Sequence, residues 1–185
     1  MERIDVAIFF KSGKRVRGFE MIKIRKSETA DTRTCDFTKV TKDKLRSSSL
    51  RHVNDVLKAC AFFTDLLDYA AYSHDADKFA GLDHFHADFA TGFKETGWWD
   101  NHRKVSRHHL DKADGVPADV NLVDVLEHIA DCVMAGMARS GSVYELKLDD
   151  ALLQKAMKNT VELLKAHIRI EHADGSPVPS CESMK

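Results

Sequence analysis

Apolar positions along this chain change their period near residue 50. Before that point, IDVAIFF and RVRGFEMIKIR are β-branched and aromatic runs joined by Lys11-Ser12-Gly13-Lys14, a glycine-containing turn of hairpin length. In the second run Val16, Ile22 and Ile24 are apolar, whereas Arg15, Arg17, Lys23 and Arg25 are charged. One buried and one wet face predict a β-hairpin over residues 1–25, with Gly18 at a bulge. A lone hairpin is marginal in water, so it must pack on the main domain or on a second subunit. It could serve as a dimerisation strand pair, making a homodimer, or as a lid. Residues 26–49 are polar and read as a linker.

From residue 50 the pattern turns helical. Val53, Val56, Leu57, Cys60, Phe63, Leu66, Leu67, Ala70 and Ala71 recur at steps of three and four. Residues 76–90 predict a shorter, interrupted helix, and TGFKETGWWD a loop. A histidine-rich helix or turn follows at 101–112, with Gly115 and Pro117 as breakers beyond it. The strongest helix is 120–140, with Val120, Val123, Leu126, Ile129, Ala130, Val133, Met134 and Met137 in its stripe and Gly141 at its end. A final helix spans Asp149–His167, and GSPVPSCESMK reads as a frayed tail. The expected fold is mainly α: a bundle of about five helices in 50–172, preceded by the hairpin and linker of 1–49 and followed by a tail, 173–185.

Composition narrows the function classes. Twenty-eight Lys+Arg against 29 Asp+Glu give a net charge of −1, which disfavours a nucleic-acid-binding domain. No stretch approaches the ~20 apolar residues of a membrane span, so no membrane partner is expected. The opening residues lack signal-peptide order, and Cys35, Cys60, Cys132 and Cys181 form no CxxC pair. Both point to a cytoplasmic protein without a disulfide framework.

Of the 10 histidines, eight lie between His52 and His128. Four pieces there can carry metal chemistry: His52; His74-Asp75 in SHDADKF; His102 with His108-His109 in NHRKVSRHH; and the helix NLVDVLEHIADC. On that helix Asp124, His128 and Asp131 follow i, i+4, i+7 spacing and share one face. Burying such a polar line costs several kcal/mol, of the order of ~2–7 per group, unless a partner satisfies it; a metal would be one. Imidazole and carboxylate together suit Zn, Mn, Fe, Ni or Co. His84 and His86, flanked by Phe85 and Phe89, read as packed side chains, and Glu127 as a helix-surface residue.

The order His52, His74-Asp75, His102, His108-His109, Asp131 resembles the HD superfamily of metal-dependent phosphohydrolases. HDADK is similar to its HDxxK/E signature, and EHIADCVMA to the helix whose Ala-Asp supplies the last ligand. More closely, residues 50–165 resemble an uncharacterised family of HD-like proteins of bacteriophages and bacteria. That family shows a His about 21 residues before HDxSKF, then H-x5-HH, then N-[LI]-[IV]-D…D. The resemblance implies metal ligands at His52, His74, Asp75 and Asp131. His102, His108 and His109 would then serve a second metal or contact phosphate. Lys78 falls where many HD enzymes hold a charged residue near the scissile phosphate, and Asp77 stands where the closer family has Ser.

On these grounds the chain is expected to hydrolyse a nucleotide or another small phosphate ester or diester. One or two divalent ions of Mn, Fe, Co, Ni or Zn would supply hydroxide. Lys78 and Asp77 are the catalytic candidates, with Asp83 a further proton donor, and His109, Arg107, Asp124 and His128 are placed on substrate. Trp98-Trp99 could stack a base at the pocket mouth. The competing expectation is a non-catalytic, metal-stabilised binding module. One geometric condition applies: in an unbroken helix His52 and His74 stand roughly 33 Å apart at ~1.5 Å per residue. Sharing an ion therefore requires a turn near Phe63-Thr64-Asp65, with Thr64 as a cap.

Overall fold

The computed structural model describes residues 20–27, 29, 32–33, 35–172 and 174–178. The first run of the expected hairpin, IDVAIFF, and its turn lie outside the described residues. Two compact units are present, one containing residues 65–162 and the other the described residues among 20–64 and 163–178. The chain is mainly helical, as its periodicity predicts: α1 (Lys42–Ser73), α2 (Ala76–Ala80), α3 (Leu82–Ala90), α4 (Trp98–Val105), α5 (Leu122–Ser140) and α6 (Asp150–Ala166). No helix among the described residues is long and apolar enough to cross a membrane.

In the second unit one sequence expectation is corrected, the linker, and one strand gains a partner the sequence did not suggest. The strand β1 (Ile22–Arg25) pairs in parallel with β2 (Ile168–Glu171), Ile22 opposite Ile168, rather than with a neighbour in sequence among the described residues. β2 had no expected element, although IRIE has the alternation of a strand. Residues 42–49 are not linker but the first turns of α1; Ser48 there is buried and shares a 2.7 Å hydrogen bond with Thr29. Lys58 on α1 donates to the Lys23 carbonyl at 2.7 Å, and Phe62 packs its ring 4.7 Å from that of His167.

The predicted turn near Phe63-Thr64-Asp65 is absent: α1 runs unbroken over 32 residues. Thr64 does not cap a second helix, because its hydroxyl donates back to the Cys60 carbonyl at 3.1 Å within the helix. No Gly or Pro interrupts the ladder between His52 and Ser73.

In residues 65–162, α5 is built as its ends predict. Asn121 accepts from Val123 N at 2.9 Å, Asp124 accepts from Asn121 N at 2.8 Å, and Gly141 closes the helix at φ 71°. Leu110, Val120, Val125 and Ala156 form the core, with Ile129, Leu148, Leu152 and Leu153 packed around it. Thr160 of α6 accepts from Leu122 N at 2.9 Å, and Asn159 donates to the Val120 carbonyl at 2.8 Å, so α6 holds the start of α5.

After α5 the chain folds back so closely that a Cβ on Gly136 would lie 2.5 Å from the Ser142 carbonyl oxygen and 2.7 Å from Tyr144 N. These are backbone atoms that cannot rotate away. Gly136→Ala is therefore expected to cost ~1–3 kcal/mol in urea unfolding, the ordinary cost of overpacking. A wild-type midpoint in this variant would contradict that packing.

Candidate metal centre

His74 and Asp75 occupy the reversal between α1 and α2. Asp75 adopts φ 55°, a left-handed conformation that Asp tolerates better than most residues, and its carbonyl accepts from Lys78 N at 2.9 Å. The reversal turns both side chains of the dipeptide toward the residues of α4, the 106–109 turn and α5.

Asp75 is the hub. Its Oδ1 lies 3.3 Å from His102 Nε2 and 3.7 Å from His108 Nε2; its Oδ2 lies 3.6 Å from His74 Nε2 and pairs with the Lys78 ammonium. His109 Nε2 stands 2.9 Å from His102 Nε2. Two groups of donors emerge, each with ligand atoms within 4.8 Å of one another: Asp75, His102, His108 and His109; and His74, His108 and Glu127. Ligand atoms adjacent on a cation at ~2.1 Å stand ~3–3.4 Å apart; the 2.9 and 3.3 Å separations in the first group match this, and its 3.7 Å separation is slightly wider.

The hydrogen bonds around these rings assign their protons. His102 Nδ1 faces Asp77 Oδ2 at 2.8 Å, so a proton there serves Asp77 and leaves Nε2 an acceptor, which His109 Nε2 meets at 2.9 Å. His74 Nδ1 and His108 Nδ1 both face Glu127 Oε1, at 2.9 and 3.2 Å, which leaves their Nε2 atoms directed toward Asp75. His128 Nδ1 donates to the His108 carbonyl at 2.8 Å and fixes that turn. Asp75 Oδ1 is buried and accepts no hydrogen bond. Such an atom costs free energy unless something else neutralises it. Four inward-facing donors, all nitrogen or carboxylate oxygen, could hold a divalent cation of the zinc, manganese, iron, cobalt or nickel kind.

Charge follows the same pattern. Burial would raise the Asp75 carboxyl, but His102 and Lys78 beside it outweigh burial and hold it well below its ordinary value. Glu127 is likewise drawn down to about 2: burial opposes this, and the bonds from His108 and His74 prevail. His74 is raised, chiefly by Glu127. His109 is pushed down to about 3 by burial and then by His108 and His102.

Indole rings pack against these histidines. Trp98 stacks on His102 with centroids 5.0 Å apart and planes 10° apart, and Trp99 meets His109 edge-on at 5.5 Å. Asp88, fully buried, accepts from Thr96 N and Trp99 N and anchors the start of α4. The Trp pair thus supports the histidines instead of standing free at a pocket mouth.

Among the expected metal residues, His74, Asp75, His102 and His108 come together. Asp131 lies 3.8 Å from His74 Nε2, outside both donor groups. His52 does not join them, because the unbroken helix carries it about six turns away. His109, expected on substrate, is a donor of the first group. Asp77 orients His102, and Lys78 is bound to Asp75.

Arg107 forms a two-pronged pair with Asp124 at 2.7 and 2.8 Å and also binds Asp119, so both expected substrate residues are joined in an ion pair at the start of α5. His128 is buried behind His108 rather than facing solvent. Glu127, read as a surface residue, is the carboxylate that holds two imidazoles. Its position one helical turn before Asp131, roughly 40° around the helix, was the available signal. No protein-family model, curated protein or solved structure matches this chain.

Elemental analysis after incubation with Mn, Co, Ni, Fe or Zn should find metal on the wild type and none on folded Asp75→Asn or His102→Ala. Asparagine tolerates the left-handed turn, so Asp75→Asn isolates the charge. Asp77→Asn should weaken metal binding ~10–100-fold, and His52→Ala should leave it unchanged; metal loss in His52→Ala would refute the assignment.

Metal-free protein should also lose stability in acid. His109 titrates near 3 when folded against 6.5 ordinarily, so the unfolded chain takes this proton first. The stability it contributes is whole above pH 6.5 and falls away as the pH drops toward 3; Glu127 adds a loss between 4.5 and about 2. His74, raised, acts oppositely: its contribution is present below 6.5 and lost as pH rises through its folded value. Urea midpoints at pH 5.5, 4.5 and 3.5, below the window of His74, should fall in that order, and less steeply in His109→Leu.

Proposed function

We propose that this centre belongs to a metal-dependent hydrolase of phosphate esters of the HD kind. The observation that carries the reading is Asp75 Oδ1: buried, without a hydrogen bond, and 3.3 and 3.7 Å from the Nε2 atoms of His102 and His108. Asp75, His102, His108 and His109 would hold one cation. The second donor group argues for one ion rather than two, because the His74 and His108 Nδ1 protons both point at Glu127 Oε1. A divalent cation in this position supplies Lewis acidity toward a phosphoryl oxygen and an acidified water.

The chain's own groups would do the rest. Lys78, tied to Asp75 by one N–H, keeps its remaining N–H groups for a phosphoryl oxygen. His74 is partly exposed and has a raised pKa, and its Nε2 lies between Asp75 and Asp131. It would carry a proton on Nε2 and deliver it to the departing alkoxide. Asp77 and Glu127 act through the imidazoles they orient and touch no substrate.

A second reading, a metal-stabilised module without turnover, draws support from the arginines: Arg103 pairs with Asp100 and Asp114, and Arg107 with Asp119 and Asp124. Little cationic charge therefore remains for a polyphosphate. Hydrolysis of p-nitrophenyl phosphate and of bis-p-nitrophenyl phosphate by metal-loaded protein separates the two. Turnover should appear with at least one of the five metals, vanish in Asp75→Asn, and fall ~10²–10⁴-fold in His74→Gln with metal content retained. Metal binding without hydrolysis of either ester would leave the module.

A further inference from the structure

Beside the metal centre a cavity of about 510 Å³ opens between α1 and α5. Leu67, Ala70 and Ala71 line it from α1, and Leu126, Ala130 and Met134 from α5; His74, Glu127 and Asp131 stand at its polar end. Its large apolar residues are not packed away: Leu126 is 50% and Met134 69% exposed. The volume is that of a small-molecule site.

Its charge is equally specific. The described lining residues include three carboxylates, Asp68, Glu127 and Asp131, and neither Lys nor Arg. A polyphosphate lying along this trough would meet three carboxylates against the single imidazole of His74, at a cost the alkyl walls do nothing to offset. An uncharged hydrocarbon body would instead cover exposed Leu and Met side chains and lose its own contact with water.

From this juxtaposition we infer that the trough holds the apolar, uncharged body of the substrate, an alkyl or aryl group esterified to the phosphate that meets the metal centre. The inference rests on the hydrolase reading for the phosphate and on the trough alone for the body. It excludes nucleoside triphosphates as the favoured ligand class. Each methylene buried in such a trough raises affinity up to about fourfold, so chain length is the property to vary.

The test compares methyl p-nitrophenyl phosphate with octyl p-nitrophenyl phosphate on metal-loaded protein, below the octyl ester's aggregation threshold. N-phenyl-1-naphthylamine, a neutral fluorescent probe, reports trough occupancy with and without metal. The octyl ester should show a KM at least tenfold lower than the methyl ester and should displace the probe, whereas ATP should not. Ala130→Trp fills the trough from an exposed position and should abolish both the octyl advantage and probe binding, with metal content retained. Ala71→Phe gives the same reading if Ala130→Trp fails to fold. Equal KM values with no probe binding would overturn the trough assignment while hydrolysis stands. Probe binding displaced by the octyl ester, without hydrolysis of either ester, would support the trough and refute the hydrolase.

Discussion

The unit that carries the centre is organised around one costly arrangement: a carboxylate buried among imidazoles on a left-handed turn. Asp75 could relax this by exposing its side chain or leaving φ 55°, and the surrounding elements prevent both. α1 ends at Ser73 and α2 starts at Ala76, so only two residues make the reversal. Asp88 anchors the loop before α4, which carries His102. His128 holds the His108 carbonyl from α5. The Cβ that residue 115 lacks would fall 2.8 Å from the His109 carbonyl oxygen, so the 106–109 turn sits against a glycine. Four separate pieces of chain are thus fixed at the point where the donors converge.

Protonation completes what packing begins. An imidazole offers a lone pair inward only when its other nitrogen has somewhere to put a proton. Asp77 serves His102, and Glu127 serves both His74 and His108 through one oxygen. His109 has no such carboxylate bond, and it is the ring whose pKa falls furthest, to about 3. It remains neutral across the physiological range for a different reason, burial beside two other rings. Asp75, His102 and His108 then face the centre without a proton of their own, and His109, bonded through Nε2 to His102 Nε2 at 2.9 Å, would move its proton to Nδ1 to become the fourth donor.

How far this was legible depends on whether a feature is local. Gly141 and the Asn121–Asp124 capping box announce the ends of α5 because caps are made by residues within one turn. The break at Gly81 was equally readable from composition. The pairing of β1 with β2 was not, since a parallel pair joins segments more than a hundred residues apart and leaves no turn signature. His52 fails for an instructive reason. Its spacing from His74 matches the ligand order of the superfamily the sequence resembles, but the uninterrupted apolar stripe of α1 argues against any turn, and the stripe is the better guide. Glu127 was passed over because a lone Glu on a helix is ordinarily solvated; only the imidazoles at 2.9 and 3.2 Å give it its role. Arg107 and Asp124 are the converse, since charge in a candidate site also forms the structural pair at a helix start.

The trough and the metal centre also explain each other. α5 presents Glu127 and Asp131 one turn apart, flanked by Leu126, Ala130 and Met134. A helix face with acids and exposed aliphatics interleaved cannot be buried against an apolar neighbour without stranding the carboxylates. Nor does it gain from full exposure, which leaves Leu and Met in water. His74 answers Glu127 and Asp131 at one end, and the exposed aliphatics beside them are the surface that the proposed apolar body would cover. Alanine at 70, 71 and 130 keeps that space open; leucine at any of them would add side-chain bulk to it. The residues that would make α1 and α5 a better-sealed pair are the ones missing, and their absence leaves apolar surface beside the buried carboxylate that a cation would neutralise.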